Sequence, residues 1–263
     1  MAYDVVIIGG GNMGAALLGG LLATGTDPST LAVSEAVADR RLDLAARFPG
    51  VAVTDGIPAC RAAVLAVKPA DVPTVAAASV AAGARRLLSI AAGVPTAAIE
   101  LAAGAAPVAV VRAMPNTPAL VGEGAAAIAA GARALDGDLA WAERILGAVG
   151  LVVRVDEAQL DAVTALSGSG PAYLFLVAEA LIDAGTSAGL DPELATALTT
   201  QLLVGSAKLL AERGDPAALR VQVTSPGGTT AAGLAVLDER GVRDAFVAAV
   251  AAAKSRSIAL GRS

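Results

Sequence analysis

Three short stretches concentrate residue types that can do chemistry. The first, Val5-Val6-Ile7-Ile8-Gly9-Gly10-Gly11-Asn12-Met13-Gly14, has the form G-x-G-x-x-G, placed after an apolar β-branched run and ahead of a helix-compatible stretch. In that setting Gly9 permits a tight turn, Gly11 lets the backbone approach a pyrophosphate, and Gly14 allows close helix–strand packing. The free N–H groups that open the following helix then face the phosphates, so the motif reads as a dinucleotide cradle. The second and third stretches, 165–171 (Ala-Leu-Ser-Gly-Ser-Gly-Pro) and 223–230 (Val-Thr-Ser-Pro-Gly-Gly-Thr-Thr), place glycines and hydroxyls at helix starts. Taken singly, each is also an ordinary cap, by Ser169 in one and by Gly228 or Thr229 in the other. Taken together they suit a small anion, because a hydrogen bond to a charged group contributes roughly 1.5–3 kcal/mol and two or three would hold a carboxylate without arginine.

Other residues flank the cradle. The second apolar run ends in Ser34-Glu35. An acidic residue about 20 positions beyond the glycines would hold the 2′-hydroxyl of NAD, and Glu35 fits that role. Ser34, Arg40 and Arg41 could receive the 2′-phosphate of NADP instead, and the two arginines also fit a solvated helix face. Both NADPH and NADH therefore stay open. Val67-Lys68-Pro69 and the loop Arg112–Pro118 end two further runs on the expected ligand side, as a wall for the nicotinamide or as rigid proline turns. In the second loop Asn116 offers both a donor and an acceptor.

What the chain lacks narrows the chemistry. It contains no histidine, which removes imidazole bases, Ser-His-Asp triads and most zinc sites. A single cysteine, Cys60, rules out intrachain disulfides and a cysteine metal cage, and it reads as a small buried apolar residue. No metal is expected. A net charge of −5 and a pI near 4.8 speak against general attraction to nucleic acid or anionic membranes. Mean hydropathy is high at +0.68, yet the one long uncharged stretch, residues 5–26, is broken by glycines and preceded by Asp4 rather than by basic residues. The expectation is a cytoplasmic protein.

These residues need a scaffold. Apolar runs at Val5–Ile8, Leu31–Val33, Val51–Val53, Val64–Val67, Leu87–Ile90 and Val108–Val111 alternate with alanine-rich helical stretches. That pattern predicts an α/β fold with a doubly wound, mainly parallel sheet. With 56% hydrophobic but only 2% aromatic residues, its core must be built from Ala, Val, Leu and Ile. Beyond about Asp156 the texture becomes all-helical, with helices expected at Tyr173–Ala188, Pro192–Arg213, Pro216–Val223, Thr229–Glu239 and Val242–Leu260. The predicted domains are 1–156 for the dinucleotide and 157–263 for the helical half. That half carries more apolar positions than a small lone bundle hides, which predicts burial against a second subunit.

The strings GGGNMG, VKP, RAMPNTPALVGEG, DAVTALSGSGPAY and VTSPGGTTAAGL, in this order across essentially the whole chain, resemble the 1-pyrroline-5-carboxylate reductase family. The resemblance implies a Rossmann-type domain, then a helical dimerisation domain that interlocks with a partner subunit. It implies reduction of 1-pyrroline-5-carboxylate to L-proline with NADPH or NADH, by a homodimer or a dimer-based higher oligomer. Carried over by motif, Gly9, Gly10, Gly11, Asn12, Met13, Gly14, Ser34, Glu35, Val67, Lys68, Pro69, Ala92 and Asn116 would line the cofactor. Ser225, Gly227, Gly228, Thr229 and Thr230 would hold the substrate, with Thr230 matched to the hydrogen-bond partner of its ring nitrogen. Two other readings share some features. A β-hydroxyacid dehydrogenase would want a lysine in the helical half, where only Lys208 and Lys254 occur, neither in a glycine-rich loop. A non-catalytic NADP-binding sensor would leave the two hydroxyl-rich loops without a purpose.

Overall fold

The computed structural model describes residues 2–261. Eight strands form one sheet: β1 (Tyr3–Ile8), β2 (Leu31–Ser34), β3 (Ala52–Thr54), β4 (Cys60–Leu65), β5 (Arg86–Ser89), β6 (Ala109–Met114), β7 (Gly124–Ala130) and β8 (Gly150–Arg154). Their order is β3-β2-β1-β4-β5-β6-β7-β8, and every neighbouring pair is parallel except the antiparallel β6–β7. This is the doubly wound sheet expected from the alternating pattern. β7 and β8 were not foreseen. β7 reads Gly-Ala-Ala-Ala-Ile-Ala-Ala, with one β-branched residue in seven, so its strand character comes from pairing with β6 and β8 rather than from local preference.

Five helices cover the sheet: α1 (Asn12–Ala23), α2 (Ala38–Arg47), α3 (Val72–Ala81), α4 (Thr96–Ala103) and α5 (Asp136–Gly147). Successive strand residues point to opposite faces, and the core divides accordingly. Val5, Ile7, Val33, Val64 and Leu88 join Leu17 and Leu18 of α1 and Trp141 and Ile145 of α5 on one face. Val6, Ile8, Ala63, Leu65 and Val110 join Val72 and Ala76 of α3 and Ile99 of α4 on the other. Each fully buried Val, Leu or Ile contributes about 1.5–3 kcal/mol. Small residues let the layers approach: a Cβ on Gly20 of α1 would lie 2.4 Å from Val149. Cys60 is buried, and burial pushes its thiol pKa up, away from any nucleophilic role.

The helical half follows as α6 (Leu160–Val163), α7 (Gly170–Ser187), α8 (Pro192–Arg213), α9 (Pro216–Gln222), α10 (Thr229–Glu239) and α11 (Val242–Leu260). Asp191 and Asp215 cap α8 and α9 by accepting from Glu193 N–H at 2.9 Å and Ala217 N–H at 2.9 Å, each with proline at the first helical position. By compactness the chain divides into one unit that runs through Ser169 and also takes in the chain from Ala252, and a second over Gly170–Ala251.

Candidate cofactor and substrate sites

The strand termini explain where the cofactor residues lie. Because β1, β2, β4, β5 and β6 run parallel, the segments after them share one edge of the sheet. Those segments hold Gly9–Gly11, Glu35 (with Ser34 ending β2), Val67–Pro69, Ala92 and Asn116. The strand order reverses between β1 and β4, the place where open α/β sheets bind ligands.

At that switch point the glycine motif is sterically enforced. Gly9 adopts φ +100°, and a Cβ there would stand 2.3 Å from the Ala66 carbonyl oxygen. A Cβ on Gly14 would lie 2.0 Å from the Gly9 oxygen. Gly11 differs, since no atom lies within 4 Å of its would-be Cβ. It precedes α1 with no side-chain cap, so the first N–H groups of that helix, including those of Asn12 and Met13, point into open space. A side chain at Gly11 would meet only open space. A cleft of about 440 Å³ opens there, lined by Gly10, Gly11, Asn12, Arg40, Asp43 and Arg47.

Glu35 braces the loop itself. Its buried carboxylate accepts from Gly10 N–H and from Val37 N–H, both at 2.9 Å, and Arg40 stands 4.0 Å away. Arg41 donates to the Glu35 and Ala36 carbonyls at 2.9 and 2.8 Å, which ties it to the backbone. Arg40 and Arg47 are the cations left facing the cleft. The spacing of Arg40, Asp43, Leu44 and Arg47 would have revealed this, because positions i, i+3, i+4 and i+7 share one helix face.

Asn116 is tied at both ends of its amide. Its Oδ1 accepts from Ala125 N–H at 2.8 Å, and its Nδ2 donates to Ser167 Oγ and O at 3.2 and 3.3 Å. Ser167 lies in a π-turn, Thr164–Gly168, with Ser169 N–H reaching Thr164 O at 2.8 Å. Ser169 itself is in a helical conformation, so the glycine-serine break is a π-bulge and not the cap that its sequence suggested. Lys68 is exposed at the start of a short 3₁₀ turn, Ala92 is half-buried after β5, and Pro69 opens that turn.

A polar network escaped sequence reasoning. Glu157 accepts from the Thr96 amide at 2.8 Å, the Thr96 hydroxyl at 2.7 Å and Arg112 at 3.1 Å. Burial alone would raise its pKa, but the Thr96 and Arg112 contacts outweigh burial and hold it below its ordinary value. No local signal joins residues 96, 112 and 157.

The substrate candidates lie together in the second unit. Gly227 takes φ +71°, Gly228 N–H closes the turn onto Ser225 O at 3.0 Å, and Gly228 is the N-cap of α10. Having no side chain, it leaves the first helical N–H groups, those of Thr229, Thr230 and Ala231, without a capping partner. The hydroxyls of Ser225, Thr229 and Thr230 make no hydrogen bond among the described residues, and all three residues are exposed. Among the described residues there is no cluster of His, Cys, Asp and Glu suited to a metal.

Comparison with known proteins finds a matching family in each half. Residues 157–260 match the family described as pyrroline-5-carboxylate reductase dimerisation, and residues 4–93 match NADP oxidoreductase, coenzyme F420-dependent. The chain is 45% identical to a pyrroline-5-carboxylate reductase of Mycobacterium tuberculosis, over 96% of this chain and 95% of the relative. It is 44% identical to one from Synechocystis across the full length of both. Among solved structures, a pyrroline-5-carboxylate reductase from Coxiella burnetii superposes with a TM-score of 0.91 at 37% identity, covering all of both chains. The Plasmodium falciparum enzyme with NADP bound gives 0.85 at 29% identity, covering 98% of each. The chain belongs to the pyrroline-5-carboxylate reductase family.

Proposed function

We propose that this chain reduces 1-pyrroline-5-carboxylate to L-proline, the last step of proline synthesis, with residues 225–230 holding the substrate. The chain is an NAD(P)H-dependent oxidoreductase. One observation carries the assignment of the substrate loop. Gly228 caps α10 without a side chain, so three N–H groups and three hydroxyls are left for an anion. The amides of Thr229 and Thr230 with the Ser225 hydroxyl bind the carboxylate at the positive end of the helix. The Thr230 hydroxyl accepts from the protonated ring nitrogen and fixes the face of the imine. The bound nicotinamide supplies the hydride. A protonated imine accepts it to give a neutral amine, so the protein needs alignment more than a proton donor, consistent with a chain that has no histidine.

The cofactor is held by the α1 amides after Gly11, with Val67, Lys68, Pro69 and Ala92 on the adjoining loops. Asn116 acts through Ser167 and Ala125 rather than as a free wall. NADPH is preferred over NADH, because Arg40 and Arg47 face the cleft while the Glu35 carboxylate is buried and bonded to Gly10 and Val37. We take the functional boundary at 156/157, a reading supported by the family match over residues 157–260.

The chain oligomerises through that helical region, and we place the contact in a homodimer. Two helical stretches, Glu157–Ser187 and Pro192–Arg213, are long and apolar enough to cross a membrane by length and composition. We assign their exposed leucines to a second copy of the chain and the protein to the cytoplasm.

Steady-state kinetics with pyrroline carboxylate and both reduced cofactors tests the reading. Thr230→Ala lowers kcat/KM about 10- to 100-fold, the cost of one hydrogen bond to a charged group, while NADPH affinity stays unchanged. Unchanged efficiency removes Thr230 from the site. Arg40→Ala raises KM for NADPH about tenfold and leaves KM for NADH alone; equal effects on both reject the phosphate role.

A further inference from the structure

A second cleft lies away from the cofactor edge. A cleft of about 1370 Å³ opens where β1, β4, β5 and β6 begin, lined by Asp4, Arg61, Arg86 and Val108 among others. From there to the glycine loop β1 runs roughly 17 Å at 3.3 Å per residue, so the two openings are separate. Five arginines line the cleft, Arg61, Arg85, Arg86, Arg133 and Arg144, in a chain whose net charge is −5. Two are neutralised, Arg61 by Asp4 at 3.3 Å and Arg86 by Asp138 at 2.6 Å. Arg133 and Arg144 donate only to backbone carbonyls, those of Ala106 at 2.8 Å and Ala140 at 3.3 Å. The Arg85 guanidinium has no partner among the described residues.

The ends of α1, α3 and α5 also reach this edge, where helix C-termini carry about half a negative charge each. With the two aspartates they do not balance five guanidiniums, and the Thr24 hydroxyl shares its one proton between two carbonyls at the end of α1. Beneath the charged rim the floor is apolar, formed by Leu21, Ala62, Ile145 and Trp141. We propose that this cleft is a second ligand site, for a small phosphorylated metabolite with two or three negative charges and an apolar or aromatic body. Arg85, Arg133 and Arg144 take the charge, and the side chains at the strand starts take the body. The site is independent of the hydride reaction, so its failure leaves the reductase reading untouched.

Trp141 is the chain's single tryptophan and lines the cleft, which makes its fluorescence a local reporter. Full-length protein, saturated with NADP+ so that the glycine loop is filled, is titrated with adenosine diphosphate under excitation selective for tryptophan. A saturable change is expected, weakened at least tenfold in the double variant Arg85→Ala/Arg144→Ala and absent with adenosine. Thermal melting without ligand checks that the variant is folded. If it is not, Arg85→Lys/Arg144→Lys keeps the charge while losing the planar fork, and affinity drops several-fold. No saturable change, an equal response to adenosine, a signal that NADP+ abolishes, or an affinity untouched by the substitutions overturns the proposal. In that event the arginines only neutralise the helix ends.

Discussion

The two units of this chain use the same residue types and bury them to different degrees. In the sheet-containing unit Val6, Ile7, Leu17, Leu18, Val64 and Leu88 are all fully buried. In α7 no residue is buried, and in α8 only Ala195 and Thr199 are; Phe175 and Leu176 remain 64% and 65% exposed. One unit closes its own core with helices on both faces of a sheet. The other presents half of a core, and patches of that size on isolated proteins mark interaction surfaces. The first unit closes its core within one chain, whereas the second is expected to gain stability from a partner.

The most damaging test of that contrast is to charge the open face. Phe175→Arg with Leu176→Arg is expected to abolish assembly in size-exclusion chromatography with light scattering, and turnover with it. In the parent, the melting temperature of the helical unit is expected to rise with protein concentration, as mass action requires when assembly stabilises the fold. Leu88→Ala, inside the closed core, costs about 2–5 kcal/mol whatever the concentration. A charged variant that keeps the parent's mass in solution would show that this face is not the interface.

A second pair sharpens the contrast within the cofactor loop. Gly14→Ala drives a Cβ into the Gly9 carbonyl, so stability and cofactor binding fall together. Gly11→Ala meets nothing in the protein and has an ordinary φ of −66°. It is expected to leave the melting temperature within about 1 °C, as for a surface change without a named mechanism, while weakening NADPH binding tenfold or more. Calorimetric titration beside thermal melting separates the two, and equal NADPH affinity in Gly11→Ala would remove that residue from the cradle.

What was readable in the sequence follows the same division between local and distant causes. Six strands were legible because β-branched runs such as Val5–Ile8 announce themselves, and α8, α10 and α11 because Pro192, the glycines at 227–228 and Gly241 punctuate them. β7 was not legible, since an alanine strand is made by its neighbours. The glycine cradle could be read because steric demands act between residues a few positions apart. Glu35 could be placed but not understood. Its position matched a ribose ligand, while its partners, Gly10 and Val37, depend on how the loops meet. Ser169 failed for a similar reason: the π-turn Thr164–Gly168 runs directly into α7, so Ser169 is already helical where a cap would be extended.

Glu157 offers the smallest and most specific test, because it begins the helical half yet is held by the sheet-containing unit. Thr96 and Arg112 bind its charged form, so its pKa in the folded chain lies below the ordinary 4.5. A depressed carboxylate contributes stability that is present above the unfolded value and disappears as pH falls through the folded one. Glu157→Gln keeps the shape but removes the charge that Arg112 needs, and it sets an amide nitrogen against one of the Thr96 donors. The variant is expected to be less stable by about 1–2 kcal/mol at pH 7, a value discounted for partial exposure. Denaturant melts of both proteins should then converge on acidification below pH 4.5, where the parent loses its advantage. A difference that stays constant down to pH 3 would mean that the charge on Glu157 holds nothing, and that this turn is fixed by packing of Leu160.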